Sequence, residues 1–354
     1  MKKHFLLLLM TLLPLAGFAQ MNVGDQFMDE SYVYEVTKAP AGATWGEVKV
    51  LAVLKGANPV SETGALTLPG QVTTTAYGDT YYFNVRYADT DALQNFGTTN
   101  GSTLTTTGEF TGKTTATSVE IPKEWREIKN GCFNGFTNIK EISFAPNSVV
   151  STIEDGAFAT TQIRTFDFSN CIRLQTLSNG IFVESAGAIN SYITEIKLPA
   201  RSTVLKEIGQ AFKNLTNLNK IENLENSAIQ SVVAGAFLQD AKLTELTLPG
   251  TVQTIAAGAF ENSGIETLTI DVTSIQNIGD GTDNVYGVTL DNKQKLKTLV
   301  LKGNLGGVVK TNAFKDFTNL ETLTLDDLSF VSGGQFATSA FEGCTQIGSV
   351  SIKA

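Results

Sequence analysis

Leu243-Thr244-Glu245-Leu246-Thr247-Leu248-Pro249 sets three leucines at intervals of three and two residues, and variants of this phrase recur down the last two thirds of a 354-residue chain. The apolar triplets are Ile139/Ile142/Phe144, Ile163/Phe166/Phe168, Ile193/Ile196/Leu198, Leu243/Leu246/Leu248, Ile265/Leu268/Ile270, Leu296/Leu299/Leu301, Leu320/Leu323/Leu325 and Ile347/Val350/Ile352. Weaker copies at Val119/Ile121 and Leu218/Ile221 bring the series to ten. From Ile121 to Ile352, nine intervals span 231 residues, about 26 each, within the period of roughly 20 to 50 that marks stacked coils. One coil cannot bury its own apolar set, so neighbours must stack. The period-2 end of each triplet predicts a short strand with two side chains turned inward. One parallel sheet of about ten strands is expected from Val119 to Ile352.

A second element recurs between the strands. It reads Gly156-Ala157-Phe158, Gly235-Ala236-Phe237 and Gly258-Ala259-Phe260, with Gly131-Cys132-Phe133, Gln210-Ala211-Phe212, Asn312-Ala313-Phe314 and Ser339-Ala340-Phe341 as variants. The Phe is expected to plug the far side of each coil, so that Phe133, Phe158, Phe212, Phe237, Phe260, Phe314 and Phe341 form a column, while the small residue before it lets backbone pass closely. Pro122, Pro199 and Pro249 follow their strands directly, and Pro146 follows one residue later, where a missing N–H ends a ladder.

The ends and the composition narrow the function. Residues 1–19 carry Lys2-Lys3, an apolar run from Phe5 to Leu13 and small residues before Gln20, the pattern of a cleavable secretory signal. The run is too short for a transmembrane segment, and no later stretch approaches twenty apolar residues. No cysteine follows the cleavage point, so no lipid anchor is expected. The exported chain is placed as secreted, periplasmic or at the cell surface. Removing Lys2 and Lys3 from 26 basic residues leaves 24 against 35 acidic, a net charge of −11 that disfavours nucleic acid and anionic membrane as partners. The single histidine, His4, lies in the signal, so His-dependent triads and His-bearing zinc sites are excluded from the mature chain. Cys132, Cys171 and Cys344 are too far apart for a close metal motif and read as buried packing residues. No cofactor, metal site or catalytic residue is expected.

Residues 20–97 lack the repeat but alternate like strands at Tyr32/Tyr34/Val36, Val48/Val50, Leu66/Leu68 and Tyr81/Phe83/Val85, which suggests an N-terminal β cap over the first coil. Leu66-Thr67-Leu68-Pro69-Gly70 already copies the strand phrase. Residues 98–118 hold ten Thr and two Ser and read as a loop or linker, because that composition buries little. Residues 119–354 are the repeat array.

Strand, Pro, an apolar pair and Ala-Phe, as in Leu248-Pro249 with Val252, Ile255 and Ala259-Phe260, resemble the BspA-type leucine-rich repeat proteins of Bacteroides-like bacteria. That resemblance covers residues 119–354. It implies a mainly β repeat solenoid, a right-handed leucine-rich repeat coil behind a small β cap. It also implies a secreted or surface protein, some relatives being adhesins for host matrix or for other bacteria. No fixed binding residues come with it, and no anchor or sorting tail is recognisable after Ile352.

Outward strand positions divide the sheet into a charged, mostly acidic first half and, from Thr247 onward, an almost uncharged hydroxyl carpet. Thr247, Thr267, Thr269, Thr298, Thr322, Thr324, Ser349 and Ser351 form the candidate partner surface. Thr is also favoured wherever a strand meets water, so the stripe reads more simply as plain solvated strand. Six of the eight tyrosines lie before residue 90, as does Trp45, making Trp45, Tyr81 and Tyr82 a secondary candidate for glycan stacking or, as blandly, a small β core. Trp125, placed after Pro122 as Val252 is after Pro249, reads as packing. Asp280-Gly281-Thr282-Asp283-Asn284 lacks the later Glu of a calcium loop and reads as a solvated turn, and the adjacent pair Asp326-Asp327 has no implied partner across a cleft. The expectation is a non-enzymatic binding protein that recognises host matrix or a bacterial surface protein through the concave sheet. A glycan-binding protein using the Tyr-rich region and a self-associating structural component are the alternatives. Weak end-to-end self-association is expected at the last strand, because only Lys353-Ala354 follow Ile352.

Overall fold

The computed structural model describes residues 20–41, 44–183, 192–200, 204–256, 258–279, 294–331 and 333–353. The signal-like segment and the Asp280–Asn284 turn therefore lie outside the described residues. Two compact units partition the chain: Met1–Ile163 with Ile181–Ala188, and Arg164–Gly180 with Ile189–Ala354.

The first unit opens with β1 (Gln26–Met28), β2 (Tyr32–Lys38), β3 (Gly46–Leu54), β4 (Ala65–Leu66), β5 (Gln71–Ala76), β6 (Asp79–Ala88), β7 (Asn95–Thr99) and β8 (Leu104–Glu109). Seven of these form one mixed sheet in the order β1-β2-β3-β6-β5, with the β7–β8 hairpin added to β3. Alternation decides its buried face: Val48, Val50, Val72, Ala76, Phe83 and Val85 turn inward, and Phe27 stacks on Tyr34 with ring centroids 5.2 Å apart. Tyr32 and Tyr34 belong to this core. Their hydroxyls donate to Thr67 O (2.6 Å) and Asp29 Oδ2 (2.6 Å). The Thr-rich stretch expected as a loop or linker is laddered instead. Leu104–Glu109 pairs antiparallel with Asn95–Thr99, and a 3-10 turn follows at Thr111–Thr114. β-Branched Thr suits a pleated, half-exposed strand, and composition alone hid that.

After the sheet come β9 (Ser118–Ile121), β10 (Glu127–Ile128), β11 (Glu141–Phe144) and β12 (Thr152–Ile153). β4 joins β9 in parallel register, Ala65 opposite Ser118 and Leu66 opposite Val119, so the early copy of the strand phrase acts as the zeroth rung of the first ladder. Trp125 is fully buried and its Nε1 donates to Pro69 O (2.8 Å), fastening the first coil to that rung.

In the second unit front and back strands alternate along the chain as far as β21, and the strands after it all belong to the front: β13 (Thr165–Asp167), β14 (Thr176–Leu177), β15 (Glu195–Lys197), β16 (Glu207–Ile208), β17 (Lys220–Glu222), β18 (Ser231–Val232), β19 (Glu245–Leu248), β20 (Thr254–Ile255), β21 (Thr267–Asp271), β22 (Thr298–Leu305), β23 (Thr322–Phe330) and β24 (Ser349–Lys353). The front ladder is not the single sheet that the triplets predict. It divides into β13-β15-β17 and β19-β21-β22-β23-β24. The break has a local cause: Asn223 sits at φ 65°, a left-handed conformation that cannot continue a strand, and a 3-10 turn occupies Leu224–Asn226. A second ladder, not foreseen, runs along the back, where β16-β18-β20 pair in parallel and single bridges Ile278–Val309–Phe336 extend the pattern.

Left-handed corners, two in most coils, connect these ladders. The first falls on the residue before Ala-Phe: Gly131, Gly156, Gly235 and Gly258 have φ between 61° and 74°, and the variants Asn312 and Ser339 adopt 60° and 63°. The second falls two residues after the Phe, at Gly135, Asn214, Gln239, Asn262, Asp316 and Gly343. Positive φ rather than close packing alone is thus what the Gly of this motif supplies. Gln210 departs from the rule, beginning a 3-10 turn instead.

Phe133, Phe158, Phe212, Phe237, Phe260 and Phe314 are buried as expected, and Phe182, which the motif search missed, fills the same role after Gly180-Ile181. Rings stack within the units, Phe133 on Phe158 (5.1 Å, 11°), Phe237 on Phe260 (5.6 Å, 9°) and Phe314 on Phe341 (5.0 Å, 14°). Phe341 is only half-buried. The last triplet is open, as the short tail after it leads one to expect: Val350 is 58 % and Ile352 77 % exposed, since among the described residues no coil lies over β24.

Candidate binding surfaces

The outward face of β19-β21-β22-β23-β24 is built by register. Strand alternation sends Leu246, Leu248, Leu268, Ile270, Leu299 and Leu301 into the coil, leaving the intervening residues outside. Parallel pairing then aligns them in rows. One row runs Glu245-Thr267-Thr298-Thr322-Ser349 and the next Thr247-Thr269-Val300-Thr324-Ser351, with neighbours about 4.8 Å apart across the ladder. A third row, Asp271-Lys302-Asp326-Lys353, was not read from the sequence because the triplets end one residue short of it. It borders the hydroxyl field with alternating charge. On the other flank Lys297 reaches Glu266 at 2.9 Å.

Thr247, Thr267, Thr269, Thr298, Thr322 and Ser351 are half-buried and Ser349 is exposed, as a contact surface requires. Thr324 departs from this. It is 8 % exposed, so its neighbours in the dense row leave little of it to touch. The Asp326-Asp327 pair has a structural explanation: a register shift falls between Lys302 and Asn304, opposite Asp327 at φ 49°, and the two carboxylates serve a bulge rather than a cleft.

Within the charged half of the front face, β15 and β17 compensate each other. On β15 and β17, Glu195 meets Lys220 at 3.1 Å and Lys197 meets Glu222 at 3.5 Å, and the hydrogen bond from Lys220 holds the Glu222 carboxyl below the ordinary value. These exposed pairs add little stability but leave β15 and β17 little unbalanced charge.

On the N-terminal sheet the secondary candidates separate. Trp45 (39 % exposed) and Tyr82 (47 %) lie together, ring centroids 5.3 Å apart, whereas Tyr81 is half-buried on the opposite side of β6. Cys132 and Cys171 are buried as expected. Cys344 is only partly so, and its Sγ donates to Phe314 O at 3.0 Å. Burial raises the Cys132 thiol well above its ordinary value, which leaves it inert. Among the described residues no three His, Cys, Asp or Glu side chains gather as metal ligands would, and no helix is long and apolar enough to cross a membrane.

The family described as BspA type leucine rich repeat region (6 copies) matches residues 86–188, 188–282 and 278–354, well over half of the chain. The chain belongs to the BspA-type leucine-rich repeat family. The match begins before the first triplet and takes in the Thr-rich hairpin. That family is consistent with a binding role. Solved structures with similarity include a leucine-rich repeat protein from Bacteroides ovatus (14 % identity, 91 % of this chain and 81 % of that chain, TM-score 0.46). Others are the pneumococcal vaccine antigen PcpA (19 %, 94 % and 82 %, TM-score 0.40) and a leucine rich cell surface protein from Faecalibacterium prausnitzii (15 %, 93 % and 95 %, TM-score 0.29). No curated protein sequence matches this BspA-type chain.

Proposed function

We propose that this protein is a non-enzymatic adhesin-like module, exported to the periplasm, the cell surface or the medium, that holds a host-matrix or bacterial surface protein against the outward face of β19–β24. The observation that carries the reading is the in-register array, mostly of hydroxyls, two rows wide and bordered by a row of alternating charge. Such a face offers donors and acceptors at a fixed pitch on a rigid backbone, without the desolvation cost of unpaired ions. It suits a partner with an extended polar edge.

The test is a double variant, Thr269→Lys with Thr322→Lys, set against Thr254→Lys on the back strand β20. Partners are captured from matrix proteins and neighbouring bacterial surfaces. The front variant is expected to weaken the captured complex at least about tenfold with unchanged melting, a loss typical of one central interface position. The back variant leaves affinity alone. Equal affinity for all three proteins would move the site off this face. A further expected result is the absence of stoichiometric transition metal on elemental analysis and of turnover on glycoside and peptide panels. Turnover abolished by a single Asp or Glu substitution would overturn the non-enzymatic reading.

A further inference from the structure

We infer that Trp45 and Tyr82 form a stacking platform for a neutral carbohydrate, a second site independent of the β19–β24 face. Gly46 fixes the geometry. A Cβ there would lie 2.6 Å from the Phe83 ring and 2.7 Å from Lys38 O, so only glycine lets the start of β3 lie this close to β6. With Gly46 opposite Phe83 in the register, the residue before it is brought beside Tyr82, and the two rings meet at 5.3 Å with an interplanar angle of 38°. Both are more than a third exposed, at 39 % and 47 %. Tyr82 sits on β6 of a seven-stranded sheet, and Trp45 immediately precedes β3, held beside it by the Gly46–Phe83 pairing.

The surroundings select the ligand. Outward neighbours on β5 and β6 are Thr73 opposite Tyr82, Thr75 opposite Thr80, and Gln71 opposite Asn84, the last two joined by a 3.1 Å hydrogen bond. All are uncharged hydroxyl or amide groups. The nearest cation along β6, Arg86, is engaged by Glu47 at 2.9 Å, whereas the exposed Lys38 of β2, opposite Glu47 in the register, keeps one positive charge nearby, which makes the anionic sugars a necessary arm of the test. The chain's formal charge of −9 opposes polyanions. Two tilted apolar ring faces rimmed by neutral donors and acceptors match a pyranose, whose C–H face stacks on an aromatic while its equatorial hydroxyls bond at the edge. A protein anchor would instead call for a closed apolar pocket that water cannot enter, which this open sheet face does not offer.

The experiment titrates the full exported chain with neutral gluco-, galacto- and manno-oligosaccharides and with sialylated and sulfated ones, following tryptophan fluorescence and calorimetric heat. Trp125 is fully buried, so Trp45 reports the site. Expected are binding of at least one neutral oligosaccharide, a loss of about tenfold or more in Trp45→Ala and Tyr82→Ala at unchanged melting, and retention in Trp45→Phe. The Thr269→Lys, Thr322→Lys protein should bind the sugar as wild type does, which separates this site from the protein-binding face. Absence of neutral-sugar binding up to solubility, preference for the anionic sugars, capture of a peptide but no sugar, or equal affinity in Trp45→Ala would each overturn the assignment.

Discussion

Truncating Phe237 to Ala is expected to cost about 3–5 kcal/mol of folding free energy, seen as a lower denaturant midpoint at unchanged slope. The ring is fully buried, stacked on Phe260 at 5.6 Å and tilted against Phe212 at 6.1 Å. Its own backbone N–H donates to Ala259 O (2.8 Å), and Gln239 N–H to Glu261 O (2.9 Å), so the adjacent coil is pinned on both sides of the cavity and cannot collapse into it. Phe341→Ala provides the internal contrast, because a half-buried ring leaves a smaller void. A loss below about 1 kcal/mol for Phe237→Ala, the size of an average substitution, would show that the coil repacks freely.

The second large effect concerns Asp240. Its side chain is completely buried three residues after Phe237, where other coils place Phe136, Thr161, Leu215, Ser263 or Phe317. Oδ1 accepts the Leu215 N–H at 2.9 Å, while Oδ2 has no partner. One residue before Leu215, Asn214 Oδ1 is buried without a partner too. Burial pushes the carboxyl up to about 9 from 3.8, and the Leu215 hydrogen bond opposes this only in part. The folded value lies above the unfolded one, so the stabilisation is complete below the unfolded value and is lost as pH rises through the folded value. Wild-type stability is therefore expected to fall between pH 5 and 9, by as much as about 1.4 kcal/mol per pH unit, the limit for one proton. Lysine-held carboxylates such as Glu222 and Glu342 lie below their ordinary values and act at lower pH. Asp240→Asn, an amide in place of the protonated acid, should flatten the slope and stabilise the protein at pH 8. Chemical denaturation at several pH values decides this, and an unchanged slope in the variant would mean that Asp240 is ionised in the fold.

The front strands were legible because Leu, Ile and Phe alternate with polar residues where one face is buried, and period 2 survives even in three-residue strands. The back ladder was not, since pairs such as Glu207–Ile208 or Ser231–Val232 are too short to carry a period. The break after Glu222 depends on one left-handed Asn, a conformation that composition does not announce. The hydroxyl rows could be read from the triplets alone, but the closing-off of Thr324 and the charged border row depend on how far β21 to β24 extend. Trp45 and Tyr82 were picked out as aromatics only. That they meet while Tyr81 turns away follows from the parallel β3–β6 register across 37 residues, which no local signal encodes.

The left-handed corners of a coil sit inside the segment that uses them, at Gly235 and Gln239 or at Gly258 and Asn262, and these coils lean on their neighbours through equivalent backbone bonds. An in-frame duplication or loss of one segment therefore hands the surviving layers a partner of the same kind they had before. The number of rungs, and with it the reach of the outward face, becomes a quantity that unequal recombination can adjust in whole steps, leaving every remaining layer with its own instructions for turning.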